Sequence, residues 1–266
     1  MTEDREKRRV RALFLSDVHL GMKPIRCKQL VEFLKAHDAD TIYLVGDIVD
    51  GWRLAKAWHW PSEYNGLVQI LLDKAAAGAR IVYLPGNHDE FLREYLGMYF
   101  GEIELVDRTI HTSASGKTYL VIHGDQFDVV VMNAKWLAHV GDWAYNAALR
   151  VNIAINWVRR RLGLQYWSLS AWAKQKVKNA VSVIGRFEEA LVHEARESGV
   201  DGVICGHIHF ADMHERLGIH YINTGDWVES CTAIVENFDG TFELIKWTEM
   251  VTGESRRLRA ERAAGQ

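Results

Sequence analysis

The chain has 266 residues, 48% of them hydrophobic, so it can bury a substantial core and fits one domain with room for an insertion. Its formal net charge of −3 argues against a protein that coats nucleic acid through a generally basic surface. Its three cysteines lack C-x-x-C spacing, which excludes an evident disulfide framework or thiolate zinc site and suits a reducing cytoplasm.

The first half of the chain alternates predicted strands and helices. Short apolar runs predict strands at residues 11–16, 41–45 and 80–84, and apolar residues at helical spacing predict helices at residues 25–36 and 64–77. Near-continuous apolar strands joined by helical crossovers indicate a parallel sheet that is covered on both faces.

The later predicted strands are shorter and alternate more between polar and apolar residues. Two are expected at residues 104–111 and 117–122, and residues 201–248 indicate four or five more, separated by turns. A two-sheet α/β sandwich flanked by helices accounts for this order better than one all-parallel sheet.

Residue types that bind metals follow the predicted strands at five places. The motifs, in chain order, are Asp-x-His, Gly-Asp, Gly-Asn-His-Asp, His-Gly-Asp and Gly-His-x-His. Loops at strand ends of open α/β sheets converge on one crevice, so we expect these side chains to lie together. Carboxylate, imidazole and amide ligands without thiolates suit Mn, with Fe, Co or Zn as alternatives. The polar residues of the motifs are Asp17, His19, Asp47, Asn87, His88, Asp89, His123, Asp125, His207 and His209.

We expect two divalent metal ions in this crevice. One carboxylate can bridge two ions about 3.5–4 Å apart, and such a pair activates water and stabilises the oxygens of an in-line phosphoryl displacement. Asp47 is the predicted bridge. The motifs together therefore indicate a dinuclear metallophosphoesterase.

The ordered motifs resemble those of the calcineurin-like metallophosphoesterase superfamily, from Asp17 to His209. The resemblance implies two ligand sets that share one carboxylate. One set is Asp17, His19, Asp47 and His209, and the other is Asp47, Asn87, His123 and His207.

The resemblance also implies roles for residues around the ligands. His88 takes the place of the family's catalytic histidine, which contacts the phosphate and protonates or stabilises the leaving oxygen. Histidine suits this role because it exchanges a proton near neutral pH. We expect Asp50 and Asp89 to orient imidazoles, and Asp125 to lie beside the ligands.

Residues 127–184 form a predicted helical cap, inserted between His123 and His207. The segment holds five of the ten tryptophans, and its eight Lys or Arg against two Asp give it a formal charge of +6. Apolar residues repeat at helical spacing along one face, yet further apolar residues lie off that face. Three partners could cover the apolar residues that lie off the main face: a second subunit, a lipid surface or the acyl chains of a substrate.

The same segment supplies the predicted contacts to substrate and membrane. Tryptophan combined with clustered arginine is typical of helices on an anionic membrane surface. Lysines along the next predicted helix could meet a phosphate or diphosphate, although a solvated helix face also explains them. Single-stranded nucleic acid is not expected, because the segment lacks the short strands of such binding modules. The predicted substrate contacts are Trp136, Trp143, Lys174, Lys176, Lys178 and Asn179.

Within the superfamily, the chain resembles the UDP-2,3-diacylglucosamine pyrophosphatase family of lipid A biosynthesis. The similarity lies in residues 15–21, residues 123–125, residues 223–227 and a helical insertion of similar length. It implies a hydrophobic cap that holds acyl chains. The departure is His88, where that family carries Arg, and it indicates a divergent branch.

We expect one domain over residues 10–250, with flexible charged tails at residues 1–9 and 252–266. The first ten residues leave no room for a secretory signal, and no uncharged apolar run of about 18 residues could span a bilayer. We therefore expect a cytoplasmic protein, peripheral on the inner face of the cytoplasmic membrane. Whether the protein forms a homodimer is left open.

The sequence thus predicts a metal-dependent hydrolase of a phosphodiester or pyrophosphate bond. The leading substrate is lipid-linked, such as UDP-2,3-diacylglucosamine, which would be cleaved to UMP and a lipid monophosphate. A soluble nucleotide or another phospholipid is the alternative substrate. A membrane-associated scaffold with a structural metal site is the alternative from another class, and the intact His88 argues against it.

Overall fold

In the computed structural model, the chain forms two compact units. One consists of Met1–Asp125 with Glu194–Gln266, and the other of Gln126–His193. The predicted helical cap lies almost entirely outside the described residues and stays a prediction, as do its contacts through Trp136, Trp143, Lys174, Lys176, Lys178 and Asn179. The residues described are 7–23, 26–127, 184–248 and 250.

Strands dominate the first unit. The early strands are β1 (Arg8–Leu15), β2 (His37–Val45), β3 (Arg80–Leu84), β4 (Tyr99–Phe100), β5 (Ile103–Leu105), β6 (Thr109–Thr112) and β7 (Thr118–Val121). The later strands are β8 (Gly202–Cys205), β9 (Asp212–Arg216), β10 (Ile219–Asn223), β11 (Thr232–Glu236) and β12 (Phe242–Lys246).

Helices connect the early strands. Between the early strands lie α1 (Cys27–Ala36), α2 (Gly51–Lys56) and α3 (Ser62–Ala76), and the described residues also include a helix α4 (residues 184–197) before β8. Short 3₁₀ turns occur at Glu90–Tyr95 and Asp125–Phe127. In the part of the chain that the structure describes, no helix is long and apolar enough to cross a bilayer.

The strands form two sheets. The seven-stranded sheet has the order β12-β11-β1-β2-β3-β5-β4, and the five-stranded sheet has the order β6-β7-β8-β10-β9. β1 pairs in parallel with β2, and β2 pairs in parallel with β3, as their apolar runs and helical crossovers predict. The predicted two-sheet α/β sandwich is confirmed.

β1 supplies side chains to two cores because successive residues of a strand point to opposite faces. Leu13 and Leu15 belong to the core that also contains Phe33 of α1 and Leu67 of α3. Phe14 belongs to the core between the sheets, where its ring stacks on Tyr43 with a centroid distance of 4.7 Å. The larger sheet is therefore buried on both faces, and its strand ends are held at fixed positions.

Candidate metal centre

The sequence motifs lie where five strands end. Asp17, Asp47 and Asn87 follow β1, β2 and β3 of the larger sheet, and His123 and His207 follow β7 and β8 of the smaller one. Backbone hydrogen bonds join these loops. The N–H of Asp17 donates to the carbonyl of Gly46 at 3.0 Å, and the N–H of Gly206 donates to the carbonyl of His123 at 3.2 Å. Between the sheets, the N–H of His207 donates to Oδ2 of Asp17 at 3.0 Å, so the loops of both sheets form one crevice.

Three overlapping groups of side chains in this crevice have ligand atoms within 4.8 Å of one another. Each group combines one carboxylate with two histidines. The groups are Asp17, His19 and His209; His19, Asp47 and His88; and Asp47, His123 and His207.

The two oxygens of the Asp47 carboxylate have different surroundings. Oδ1 accepts a hydrogen bond from the backbone N–H of His88 at 2.8 Å, which fixes the carboxylate. Oδ2 lies 3.5 Å from Nε2 of His123, 3.8 Å from Nε2 of His19 and 4.0 Å from Nε2 of His88. One buried oxygen is thus shared among three imidazoles.

The Asp17 carboxylate has a parallel arrangement. Oδ2 accepts from the backbone N–H of His207 at 3.0 Å, while Oδ1 lies 3.2 Å from Nε2 of His209 and 3.8 Å from Nε2 of His19. Because His19 lies near an oxygen of each carboxylate, the groups around Asp17 and Asp47 are adjacent.

Several buried atoms of the crevice have no hydrogen-bond partner within the described residues. They include Asp17 Oδ1, Asn87 Oδ1 and His123 Nε2. His123 Nδ1 lies 2.8 Å from the carbonyl of Val45 and donates to it, so Nε2 is the ring nitrogen that faces Asp47. Buried polar atoms are rarely left unpaired, so these acceptors fit cations that bind oxygen and imidazole nitrogen.

The electrostatics of the crevice favour positive charge. Burial by itself would raise the pKa values of Asp17 and Asp47, but neighbouring histidines outweigh burial and lower them. Burial would also lower the pKa values of His123 and His209, but Asp47 and Asp17 raise them. The two carboxylates therefore stay ionised and attract cations, which is a second sign that divalent metals fit here.

Backbone strain is concentrated at the same residues. Non-glycine residues rarely adopt a positive φ angle, and those that do cluster at functional sites. Among the described residues, seven non-glycine residues have positive φ, and five of them are predicted ligands. The five are Asp17, His19, Asp47, His207 and His209, with φ of 52°, 55°, 55°, 72° and 54°.

Gly86 lets the Asn87 loop approach the centre. A Cβ atom at residue 86 would overlap Oδ1 of Asp47 and the ring of His123. The residues on both sides of Asn87 thus touch Asp47, through the space left by Gly86 and through the N–H of His88. The loop brings Asn87 to the same crevice as the predicted bridge.

His88 lies at the open side of the centre. Its side chain is 25% exposed, compared with 4% for His19 and 1% for His123. Its Nδ1 lies 3.2 Å from Oδ1 of Asp50, so a proton on Nδ1 would leave Nε2 facing the crevice. Asp50 thus lies beside the imidazole of His88, and its orienting role stays a prediction.

We expected Asp89 to orient an imidazole, but its hydrogen-bond partners are other groups. Its buried carboxylate accepts hydrogen bonds from the backbone N–H groups of Gly86 at 2.6 Å and Ile48 at 2.8 Å, and from the hydroxyl of Tyr83. Longer bonds come from the N–H groups of Asp47 and Val49. Asp89 therefore ties the Asp47 loop to the Asn87 loop, because a carboxylate can accept several donors at once.

Asp125 lies two residues after the predicted ligand His123, and its partner is a guanidinium. Nη2 of Arg93 donates to both oxygens of Asp125, at 2.9 and 2.8 Å, and to the carbonyl of Pro85 at 3.2 Å. Arg93 had no motif around it and was not found from the sequence. No sequence signal identified Tyr83 either, whose apolar strand context indicates only core.

The profile of the calcineurin-like phosphoesterase family matches residues 10–211 of the sequence. The chain belongs to this family. The phosphoesterase is also similar to UDP-2,3-diacylglucosamine hydrolases. The chain is 27% identical to the hydrolase of Chromohalobacter salexigens over 215 residues, which cover 76% of this chain and 81% of the relative. The corresponding hydrolase of Porphyromonas gingivalis is 27% identical over 256 residues, 88% of this chain and 95% of the relative.

Among solved structures, the phosphoesterase matches that of a novel archaeal phosphodiesterase with a TM-score of 0.44 and 15% identity, over 88% of this chain and 98% of the other. Family membership and the hydrolase relatives identify the protein as an enzyme that hydrolyses phosphoesters. The family implies divalent metal ions, and the crevice offers residues that could hold them.

Proposed function

We propose that the phosphoesterase cleaves the pyrophosphate bond of a lipid-linked nucleotide sugar such as UDP-2,3-diacylglucosamine, releasing UMP and a lipid monophosphate. The observation that carries the proposed chemistry is the convergence of three imidazole nitrogens on Oδ2 of Asp47, within 4.0 Å. The proposed substrate is supported by the relatives named UDP-2,3-diacylglucosamine hydrolase, which match most of the chain.

We assign the metal ligands residue by residue. Asp17, His19, Asp47 and His209 would hold one divalent ion, and Asp47, Asn87, His123 and His207 would hold the other, with Mn as the proposed metal. Bound divalent ions supply activated water and neutralise charge on phosphate oxygens. The carboxylates of Asp17 and Asp47 are suited to this because each has one oxygen fixed by a backbone N–H and one oxygen free for a ligand.

His88 would act on the leaving group. Hydrolysis breaks a phosphorus–oxygen bond and adds water, so the departing phosphate oxygen gains negative charge and benefits from a proton donor. His88 is the partly exposed histidine beside Asp47, and Asp50 would hold its Nδ1–H so that Nε2 presents the transferable proton. Ligand histidines cannot donate from the nitrogen that binds a metal, so His88 is the proposed acid.

The substrate is tested by comparing initial rates on three compounds. Mn-loaded protein is incubated with UDP-2,3-diacylglucosamine, with its deacylated counterpart and with bis(p-nitrophenyl) phosphate. We expect the acylated compound to give the highest kcat/KM. Equal rates on acylated and deacylated nucleotides would favour a soluble nucleotide substrate instead.

The site is tested with Asp47→Asn, which keeps the shape of the side chain but removes the charge near three histidines. We expect turnover to fall by at least about a hundredfold, because removing a centre's supporting groups alone costs about 10–100-fold. Arg80→Ala is the control, since Arg80 pairs with Glu104 on the surface at the start of β3, whereas the predicted ligand Asn87 follows the other end of that strand. Hydrolysis at the wild-type rate by the Asp47 variant, or stable Mn binding without hydrolysis by the wild type, would overturn the proposal.

A further inference from the structure

A separate apolar cavity lies in the first unit, close to the metal centre. Its volume is about 250 Å³, and hydrophobic side chains line it. The polar atoms of its lining residues are already engaged, because Nε1 of Trp60 donates to Asn65 and the hydroxyl of Tyr83 donates to Asp89. A cavity that offers no polar partner does not hold water well and binds apolar ligands.

The cavity is open to solvent at one side. Val68 of α3, Phe91 and Phe100 of β4 line it and are 39%, 49% and 50% exposed. Buried core residues, including Leu20 and Ile48, form its floor. A ligand can therefore enter between exposed apolar side chains and reach the buried side chains of the floor.

The cavity is continuous with the loops of the metal centre. Two of its lining residues, Leu20 and Ile48, directly follow the predicted ligands His19 and Asp47 in the chain. Apolar contacts also lead to it from His88. The ring of Trp52 lies 4.4 Å from the ring of His88, and Phe91 fills the space beside Gly51, the neighbour of Trp52.

We propose that this cavity binds an acyl chain of the lipid substrate, an inference that rests on the proposed function. The volume of the cavity limits what it can bind, because 250 Å³ accommodates a narrow hydrocarbon chain but not a helix or a second copy of the protein. Its chemistry selects hydrocarbon, since burying methylene groups is favourable only where the wall is also apolar. The contact of Trp52 with His88 and that of Phe91 with Gly51 connect the mouth of the cavity to the place proposed for the phosphate.

Filling the cavity tests the proposal. Val68→Trp places a larger side chain at the mouth, and Leu72→Trp is the matched control, one turn further along α3, equally exposed and not part of the cavity lining. Rates are measured on UDP-glucosamine carrying two long or two short acyl chains. We expect the Val68 variant to lower kcat/KM for the long-chain compound at least about tenfold relative to the short-chain compound. The Leu72 variant is expected to keep the wild-type ratio.

A direct binding measurement separates this proposal from the proposed function. Dodecanoate is titrated calorimetrically into the full-length wild type and both variants, with thermal unfolding as the check on folding. Binding by the wild type and the Leu72 variant, and loss of binding in the Val68 variant, would support the cavity even if no acylated nucleotide were hydrolysed. If the Val68 variant fails to fold, Phe100→Lys tests the mouth in its place.

Two results would overturn the acyl-chain site. One is hydrolysis of the acylated nucleotide with an unchanged preference for long chains in the folded Val68 variant, which would leave the proposed function standing. The other is no binding of dodecanoate to the wild-type protein.

Discussion

Arg93 shows how a single residue can set the geometry of the centre without touching it. It bonds the carbonyl of Pro85, two residues before Asn87, and the carboxylate of Asp125, two residues after His123. One nitrogen, Nη2, donates to both loops and so holds them at a fixed separation, and the charge on both partners strengthens the bonds to Asp125. Two ligands assigned to one metal thus depend on one side chain.

We expect Arg93→Ala to lower the affinity for Mn²⁺ by about 10–100-fold, as losses of supporting groups around metals do. Arg93→Lys should recover part of the affinity, since it keeps a positively charged nitrogen donor but not the planar guanidinium that positions it. Calorimetric titration of metal-free protein measures both. The control is Arg80→Ala, which removes a 2.6 Å ion pair with Glu104 on the exposed surface of the same sheet. Equal Mn²⁺ affinity in the Arg93 and Arg80 variants would refute this account.

At the residue scale, the sequence predicted which side chains meet but not every contact that holds them. Asp17, Asp47 and His207 follow strands whose apolar runs are evident, so their convergence follows from the sheet. The motif predicts that Asp89 lies near the centre, yet its partners are backbone N–H groups of the Asp47 loop and of Gly86, and the hydroxyl of Tyr83. Contacts of this kind depend on the path of the main chain, which a residue pattern does not specify.

At the scale of elements, the two sheets are joined by a buried network of hydrogen bonds as well as by apolar packing. Glu236 of β11 is fully buried and accepts from His111 of β6 at 2.7 Å, from Arg11 of β1 at 2.7 Å and from the N–H of Ala114 at 2.6 Å. The other nitrogen of His111 lies 3.2 Å from the hydroxyl of Tyr43 in β2. The carboxylate thus links both layers of the sandwich.

This link predicts a pH dependence of stability. Burial would raise the pKa of Glu236, but the hydrogen bonds from His111, Ala114 and Arg11 outweigh it and lower the pKa. A carboxyl whose pKa is lower in the folded state stabilises the fold above its unfolded pKa, about 4.3 for Glu. This contribution is then lost as the pH falls through the folded value.

We expect Glu236→Gln to lower the free energy of unfolding at neutral pH by about 1–3 kcal/mol, because it removes the charge from a fully buried acceptor. Urea unfolding between neutral and acidic pH should show a smaller acid-dependent loss in the variant than in the wild type. Parallel pH profiles for the two proteins would mean that Glu236 does not carry the effect.

The ends of strands and helices agree with the prediction where local sequence signals determine them. β3 occupies residues 80–84 as predicted, because an apolar run ends there at Pro85. β2 begins at His37, four residues before the predicted start, because residues of β1 pair with its polar beginning. The helix α2 was missed because six residues are too few to establish a helical repeat.

At the scale of the whole molecule, the predicted ligands come from both sheets. Asp17, His19, Asp47 and Asn87 follow strands of the seven-stranded sheet, and His123, His207 and His209 follow strands of the five-stranded sheet. The sequence predicted this convergence because loops after strands collect at one edge. It could not predict how residues 127–184 are placed, since amphipathic helices fit several partners equally well.

Because folding brings these ligands together, metal removal should destabilise the protein. A ligand that binds only the folded state adds about 2.7 kcal/mol of stability at a hundred times its Kd. We expect EDTA to lower the Tm by several degrees and excess Mn²⁺ to restore it. Differential scanning calorimetry measures the change, and the Asp47→Asn protein is the control, with a much smaller response. An unchanged wild-type Tm would argue against a metal centre built from both sheets.

The division of ligands between the layers makes the rate sensitive to packing far from the crevice. Misplacing a catalytic group by about 1 Å can cost a hundredfold in rate. A substitution in the core between the sheets, for example at Phe14, that shifts one layer along the other would therefore slow turnover without touching any predicted ligand.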